Sequence, residues 1–381
     1  MKILADQNMP LVEQYFAELG SVERFDGRSL KSEQLIDVDV LLTRSVTHVN
    51  ESLLEKANKL KFVGTATIGV DHIDTDLLNQ RGITFTSAPG CNAVAVAEYV
   101  LSSMFALMQE NACTLEGKTI GIVGVGSIGS CLREKLSALN VTVLLCDPPK
   151  HDAGQLDEHC DLDTLLAQSD IVTFHVPLVK AGEHSTLHLM DKARLKALKS
   201  GIILINASRG DVIDNQALLE VMQDGANLDL VIDVWENEPT ILTELLDYVR
   251  FASVHIAGHT LEGKARGTQM LYQALCNLEG LTANKSLADF LPKPSVTDVS
   301  LQDTFSIDDL GQLIHLVYDV RRDDGILRRH LAQKGFDSLR KNYPIRRELN
   351  TVNISGARAN MSMLSALGFN ILNSGHDGGC S

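Results

Sequence analysis

Long apolar runs are absent from this 381-residue sequence, and none reaches the roughly 18 residues that a membrane-spanning helix needs. The first residues, MKILADQNMP, lack the extended apolar stretch and small-residue cleavage site of a secretory signal. The seven cysteines are an odd number without a C-x-x-C pair, which argues against a disulfide framework or a zinc knuckle. We therefore expect a soluble, cytoplasmic protein.

Positive charge is also scarce. The formal net charge of −15 would repel nucleic acid and anionic membrane, so we expect neither as a partner. Small anions would be repelled as well. An anionic cofactor or substrate would therefore need local arginines, backbone N–H groups and a helix N-terminus.

The sequence does contain alternating short apolar runs and amphipathic stretches, which are typical of parallel sheets covered by helices. One series begins with KILAD, VDVLLTRS and LKFVGTA, and a more regular series starts at Lys118 with TIGIVGVG and VTVLLCD. Between them, residues 92–110 form a long predicted helix that Asn92 caps. We predict an α/β protein with a doubly wound parallel-sheet (Rossmann) nucleotide domain and a second, flavodoxin-like α/β domain.

A segment of different character follows ADFLPKPSV. The charge-rich stretch IDDLGQLIHLVYDVRRDDGILRRHL is predicted to be helical, and FDSLRKNYPIRREL to form a helix and a turn. A short VNIS strand and an MLSALGF helix come next, and residues 373–381 are expected to be disordered. This pattern predicts a small α+β C-terminal domain.

The second series carries a nucleotide-binding motif. Strand TIGIVGV runs into Gly124, Gly126, Ser127, Ile128 and Gly129, and a helix follows. These glycines permit a tight turn, approach of the backbone to a diphosphate and close helix packing. Asp147 ends the next strand about 20 residues later, where a carboxylate binds ribose hydroxyls and favours NAD. Lys150 leaves NADP open as a minor alternative.

Three residues with complementary chemistry follow later strands of the same series. Arg209 follows GIILINAS, Glu238 follows LDLVIDV, and His255 follows FASV. Because ligands bind outside the carboxyl ends of parallel strands, we expect the three to converge. His255 suits a base for a hydroxyl proton, Glu238 can orient it, and Arg209 can bind a substrate carboxylate.

These stretches also carry a family resemblance. ASRG, DVWENEP and HIAG resemble the Arg, Glu and His signatures of the D-2-hydroxyacid dehydrogenases, and TIGVDHID and NAVAVAE resemble that family's substrate-domain motifs. The resemblance implies NAD-dependent oxidation of a small 2-hydroxy acid. It also implies a lid domain at 1–95, the NAD-binding domain at 96–257, a return to the lid at 258–283, and a C-terminal domain at 284–381.

Further phrases, among them DQNMP, APGCNAVAVAEYV and RKNYPIRRE, resemble a branch of the family that acts on phosphorylated 2-hydroxy acids. In that branch the C-terminal domain is implied to form a homodimer. The resemblance makes Ser45 and Thr67 substrate contacts. It also implies a set of cofactor contacts: Asp147, Val176, Ala207, Ser208, Asp233 and Gly258.

Two positions depart from the pattern. His259 stands where a substrate-touching tyrosine is expected, and Val176 replaces a threonine. We expect changes in affinity there without a change of reaction. Candidates for holding a substrate phosphate are Arg44, Lys264 and Arg266.

The histidine pairs do not predict a metal site. His255 and His259 are four residues apart, but Gly258 argues against a helix there. His184 and His188 share that spacing, but we expect no acidic third ligand nearby, which favours a surface pair. Two other functions remain open: a phosphoglycerate dehydrogenase-like enzyme, and a non-catalytic NAD-binding scaffold.

Overall fold

The computed structural model describes residues 1–356 and 358–372. The disorder predicted for residues 373–381 lies outside these described residues. Each described helix is too short or too polar to cross a membrane.

The strands, in chain order, are β1 (Lys2–Asp6), β2 (Ser21–Phe25), β3 (Val40–Thr43), β4 (Phe62–Thr65), β5 (Thr84–Thr86), β6 (Thr119–Val123), β7 (Thr142–Cys146), β8 (Ile171–Phe174), β9 (Ile203–Asn206), β10 (Asp229–Ile232), β11 (Phe251–Ala252), β12 (Asp298–Leu301), β13 (Asn353–Gly356) and β14 (Asn370–Ile371). The α-helices are α1 (Val12–Phe16), α2 (Glu51–Leu54), α3 (Thr75–Gln80), α4 (Ala93–Glu110), α5 (Ser127–Leu136), α6 (Pro148–Asp152), α7 (Leu162–Gln168), α8 (Lys192–Ala197), α9 (Asn215–Gln223), α10 (Leu261–Leu278), α11 (Leu310–Val317), α12 (Val320–Lys334), α13 (Phe336–Lys341) and α14 (Met361–Leu367).

The first of two compact units comprises Met1–Ala93 and His259–Pro292. Its five strands are parallel in the order β2-β1-β3-β4-β5, which is the flavodoxin-like order predicted for this part. Successive residues of β1 enter different apolar clusters, Ile3 on the face that carries Leu271 of α10 and Leu4 on the other. Helices thus cover a sheet that is buried on both faces.

The second unit comprises Val94–Gly258 and the chain from Lys293 onward. Its main sheet has six parallel strands in the order β11-β10-β9-β8-β6-β7. The chain runs from β6 outward to β7 and then crosses to β8 on the other side of β6. The switch point beside β6 is where sheets of this kind bind ligands, and the predicted doubly wound fold is confirmed.

The C-terminal part of the second unit forms a small parallel sheet in the order β12-β13-β14, and α14 packs beside β14. Leu310, Ile314, Leu364 and Phe369 belong to the same apolar cluster as the core of the six-stranded sheet. The predicted small α+β element is present, and it shares a core with the nucleotide-binding fold. Its assignment as a separate domain at 284–381 stays a prediction.

Two local predictions are wrong. The charge-rich stretch is not one helix, because Tyr318 is extended and Asp319 caps a new helix by accepting a hydrogen bond from Arg321 N. Asn92 does not cap α4, since among the described residues its Oδ1 accepts no hydrogen bond. The N–H of Ala93 donates instead to the carbonyl of Gly90 (3.1 Å), so a backbone turn leads into the helix.

Candidate active site

The turn between β6 and α5 is shaped by its three glycines. Gly124 has φ +90°, and a Cβ there would lie 2.5 Å from the carbonyl oxygen of His175. A Cβ at Gly129 would lie 2.1 Å from the Gly124 carbonyl oxygen, whereas one at Gly126 would meet no heavy atom within 4 Å. The first and third glycines are therefore required by packing, and the second leaves open space at the N-terminus of α5.

That open space fits an NAD diphosphate, because Ser127, Ile128 and Gly129 form the first turn of α5, which presents its unpaired N–H groups. The carboxylate of Asp147 accepts hydrogen bonds from the backbone N–H groups of Val125 (2.8 Å) and Lys150 (3.2 Å). Each oxygen keeps a lone pair for a ribose hydroxyl.

Lys150 and Val176 also lie at this turn. The ammonium of Lys150 donates to the Val125 carbonyl (2.5 Å), so the side chain that left NADP open is bound to the turn itself. The side chain of Val176 lies against Gly124, within 2.8 Å of the position that a Cβ would take. An apolar contact thus stands where the resemblance implies a hydroxyl.

His255 and Glu238 form a hydrogen-bonded pair at the carboxyl end of the sheet. The Nδ1 of His255 lies 2.8 Å from Oε2 of Glu238, and Oε1 of Glu238 accepts a hydrogen bond from the backbone N–H of Trp235 (2.9 Å). The glutamate is thereby held in one orientation and in turn orients the imidazole. The side chain of His255 is 31% exposed, so the imidazole is only partly buried.

The Glu238 carboxylate is ionised despite its surroundings. Burial alone would raise its pKa, but the charge of His255 and the hydrogen bonds from His255 and Trp235 outweigh burial, with a smaller contribution from Arg340. The pKa of Glu238 is therefore lowered. An ionised carboxylate next to Nδ1 fixes the orientation of the imidazole.

Asp233 supports the loop that carries His255. Its buried carboxylate accepts hydrogen bonds from Ser253 Oγ (2.6 Å), Ile256 N (2.7 Å) and Ala257 N (3.0 Å). Burial raises the pKa of Asp233, against the effect of these donors and of the His255 charge. The side chain predicted to contact the cofactor is thus placed beneath the loop.

The turn that carries Arg209 is tied to the loop that carries Glu238. Asn206 organises the turn, because its Oδ1 accepts from Ser208 N and Oγ and its Nδ2 donates to the Arg209 carbonyl. A Cβ at Gly210 would lie 2.0 Å from the backbone of Trp235, so only glycine permits this contact. Arg209 and Glu238 therefore follow two neighbouring strands whose loops touch.

The other cofactor positions in the second unit have different exposures. Ala207 and Ser208 are buried, so their contribution would come from the backbone of the turn, whereas Gly258 is half-buried. These assignments stay predictions.

The predicted substrate contacts Ser45 and Thr67 lie in the first unit, just beyond the ends of the neighbouring strands β3 and β4. Both are half-buried. The hydroxyl of Thr67 donates to the carbonyl of Gly69 (2.9 Å) and lies 2.8 Å from the hydroxyl of Thr65. Parallel neighbouring strands bring these two residues to one edge of the sheet.

Both arginines that are candidates for holding the substrate phosphate, Arg44 and Arg266, act on the same residue of the first unit. Arg266 donates to the carbonyl of Cys91 (2.5 Å). Burial raises the pKa of the Cys91 thiol to about 11, and the charges of Arg266 and Arg44 oppose that rise. The charges of both guanidinium groups therefore act on Cys91.

His259 lies directly before α10, whose first turn Thr260 caps through Gly263 N. Its ring nitrogen Nδ1 is buried. Its substrate contact stays a prediction.

The reason given against a metal at His188 is wrong. Two carboxylates lie beside its ring, with Glu236 Oε1 at 2.6 Å from Nε2 and Asp214 Oδ2 at 3.7 Å from Nδ1. These acids come from later loops, so sequence spacing could not reveal them. A histidine and two carboxylates this close can hold a metal ion. Glu236 also accepts a hydrogen bond from Asn215 N (2.7 Å), so the same three side chains can serve simply to hold neighbouring loops together. His184 pairs with Asp152 at 3.3 Å.

Sequence reasoning missed two arginines of the C-terminal segment. Arg340 Nε donates to the carbonyl of His255 (3.2 Å), and Arg346 Nη1 donates to the carbonyl of Ala257 (2.9 Å). Both belong to RKNYPIRRE, a phrase singled out only for resemblance and dimer formation. An arginine-rich stretch in an acidic chain was the available signal.

Comparisons with known proteins agree with this fold. Residues 95–260 match the family described as D-isomer specific 2-hydroxyacid dehydrogenase, NAD binding domain, and residues 290–368 match a domain of unknown function, DUF3410. A solved structure of NAD-dependent formate dehydrogenase from Staphylococcus aureus in complex with NAD is similar, with TM-score 0.60 and 26% identity. The match covers 73% of this chain and 96% of that one.

The fold is also that of NAD⁺-bound 3-phosphoglycerate dehydrogenase from Entamoeba histolytica, with TM-score 0.63 and 21% identity over 76% of this chain and 99% of that one. Fold and site together define an NAD-dependent dehydrogenase of the D-isomer specific 2-hydroxyacid class.

Curated relatives cover nearly the whole chain. The erythronate-4-phosphate dehydrogenase of Pseudoalteromonas translucida is 72% identical over 98% of this chain and 100% of its own length. That of Proteus mirabilis is 50% identical over 97% of this chain and 99% of its own length. The chain belongs to the erythronate-4-phosphate dehydrogenase family.

Proposed function

We propose that the chain oxidises 4-phospho-D-erythronate at C2 with NAD to 3-hydroxy-2-oxo-4-phosphooxybutanoate, a step of pyridoxine 5′-phosphate synthesis. The observation that carries this proposal is the His255–Glu238 pair, 2.8 Å apart, on the sheet whose first turn fits NAD. The names of the relatives, which align over nearly the full length, support the substrate.

In the proposed reaction, bound NAD supplies the acceptor for the hydride that leaves C2. His255 takes the proton of the C2 hydroxyl, and the carbon–oxygen bond becomes a carbonyl. The ionised Glu238 stabilises the imidazolium that forms. Arg209 donates to the Ser208 carbonyl, and its planar, charged guanidinium has the geometry that suits a substrate carboxylate.

The substrate-binding roles rest on the first unit. Ser45 and Thr67 supply hydroxyl groups for the substrate's polar end, and His259 replaces the implied tyrosine. The phosphate is assigned to Arg44 and Arg266, since their two positive charges lie near Cys91 in an otherwise acidic chain. The cofactor positions are those predicted from the sequence, with the Asp233 side chain acting through the loop beneath His255.

The assembly and location are part of the same proposal. A homodimer formed through the C-terminal segment is supported by exposed apolar side chains there, such as Leu316 (53% exposed) and Ile345 (74%). A cytoplasmic location is supported by the cofactor and by the cysteines of the described residues, which form no disulfide.

The test is cofactor reduction by the purified protein with NAD and either 4-phospho-D-erythronate or 3-phospho-D-glycerate, including a single turnover with excess enzyme. We expect preference for the four-carbon acid. Preference for the three-carbon acid would keep the site and overturn the substrate.

The matched variant His255→Asn separates the enzyme from a non-catalytic NAD-binding scaffold. We expect turnover to fall by about 1,000-fold or more, since the proposed base is lost, while NADH still binds. Silence of the unmodified protein with both acids would favour the scaffold.

A further inference from the structure

The loop that carries His255 lies at the edge of the six-stranded sheet, where few strand contacts hold its backbone. It follows β11, a two-residue strand at the outer edge of the six-stranded sheet, which pairs with β10. His255 itself has φ +56°, a left-handed conformation that residues other than glycine rarely adopt. Such a conformation persists only when its surroundings enforce it.

One side of the loop is held by Asp233, as described above. On the other side, the C-terminal helix α12 covers the outer edge of β11. Asp324 Oδ1 accepts a hydrogen bond from Ala252 N (2.9 Å), and Arg328 donates to the carbonyls of Leu246 (2.8 Å) and Val249 (2.5 Å). The backbone leading to His255 is thus bonded to the C-terminal segment before the loop begins.

Two arginines continue these contacts into the loop itself. Arg340, in α13, donates to the carbonyl of His255, and Arg346 donates to the carbonyls of Ala257 (2.9 Å) and Ala95 (2.6 Å). Arg346 is only 2% exposed and its guanidinium lies 3.6 Å from the centre of the Tyr318 ring. Burying a guanidinium costs free energy unless hydrogen bonds and ion pairs compensate for the lost water. A buried arginine at this loop therefore indicates a role other than packing.

The contacts of Arg340 reach both members of the pair. Its Nε bonds the backbone of His255, and its charge contributes to the lowered pKa of Glu238. The charged groups that act on the pair include Asp233 beneath the loop and Arg340 on the C-terminal side. A change at Arg340 should therefore alter both the position and the protonation of the pair.

We propose that the segment matching the domain of unknown function positions the catalytic base, with Arg340 and Arg346 holding the His255 loop from outside as Asp233 holds it from beneath. This proposal rests on the proposed dehydrogenase function. It makes Arg340 and Arg346 positioning residues and gives the C-terminal segment a role within its own protomer, separate from dimer formation.

The test compares Arg340→Gln with Arg329→Gln, which removes the same charge at an exposed position of α12. We expect Arg340→Gln to lower kcat by about tenfold to a hundredfold, because misplacing a reacting group by a fraction of an ångström is costly. The KM for 4-phospho-D-erythronate and the Kd for NADH should stay within about twofold of their values in the unmodified protein. A general loss of structure would instead change both constants. Loss of the Arg340 charge should also move the acid limb of the pH profile to higher pH.

A second measurement does not depend on turnover. Hydrogen exchange of the amides of His255, Ile256 and Ala257 should be faster in Arg340→Gln than in Arg329→Gln, at equal melting temperature and equal dimer content. If the unmodified protein oxidises neither acid, the proposed function fails while the exchange result still tests the positioning role. Equal kcat and equal exchange in the two variants would overturn the positioning role. Arg346→Lys, which keeps the buried charge, provides the same comparison if it folds.

Discussion

The two α/β units repeat one topology and use it differently. Read from the inner strand, β1 and β6 each start a sheet in the same order, and the second sheet adds one strand, β11, at its far edge. After β1 the turn is closed by side chains, with Asp6 Oδ1 accepting from Asn8 N (2.7 Å). After β6 the turn contains three glycines, and Gly126 leaves open space there. Topology therefore decides where loops gather, and the residues after each strand decide what they bind.

The two units also differ by the added strand, β11. His255 follows β11, which has no counterpart in the first sheet, and the C-terminal segment packs on it. An edge strand exposes unpaired backbone groups, and this chain pairs some of them with Asp324 and Arg328.

Among the differences between the two units, the largest effect is expected from a change that closes the open turn of the second unit. Gly129→Ala would place a Cβ about 2 Å from the Gly124 carbonyl oxygen, so the turn must shift. We expect NADH affinity to fall by about 100-fold, measured by fluorescence titration, in line with the cost of overpacking. Gly325→Ala, at a helical site with no neighbour within 4 Å, is the matched control. Unchanged affinity in Gly129→Ala would remove the turn from the cofactor site.

A smaller effect, on stability, is expected from a buried histidine that has a counterpart in the other unit. His72 in the first unit and His175 in the second each lie near a strand threonine, at 3.0 Å from Thr65 and 2.9 Å from Thr173. Burial lowers the pKa of His175 from 6.5 to about 3. As pH falls below 6.5 the unfolded chain binds a proton that the folded chain does not, so stability is lost towards acid.

His175→Gln removes this titration. Between about pH 6.5 and 5, the variant should lose about 2 kcal/mol less free energy of unfolding than the unmodified protein, measured by urea titration at each pH. His48→Gln, at an exposed position, should follow the unmodified protein. Parallel pH curves for His175→Gln and the unmodified protein would contradict the burial argument.

The smallest effect should come from the first unit. Thr67→Val keeps the shape and removes the hydroxyl, so we expect KM for the acid to rise by about three- to tenfold with little change in kcat. Thr84→Val, exposed on β5, serves as control. A fall in kcat equal to the fall in kcat/KM would instead assign Thr67 to the reaction step.

Features carried by neighbouring residues could be predicted from the sequence. The Gly124–Gly129 turn, Asp147 at the end of β7, and the places of Arg209, Glu238 and His255 after successive strands all follow from local patterns. The break at Asp319 escaped prediction, because the apolar period continues through Tyr318 while the Asp319 side chain starts a new helix. The cap expected at Asn92 failed because a backbone carbonyl took the donor.

By itself, the sequence determined which strand each functional group follows. The glycine turn follows β6, and Arg209, Glu238 and His255 follow β9, β10 and β11. Periodicity and turn residues act over a few positions, and parallel strands bring their ends to one edge. Only the tertiary structure decided that Asp233 lies under the His255 loop, that Asp214 and Glu236 surround His188, and that Arg340 and Arg346 reach back across the chain. Those contacts join residues far apart in sequence, and their energies depend on burial that exists only once the whole unit has folded.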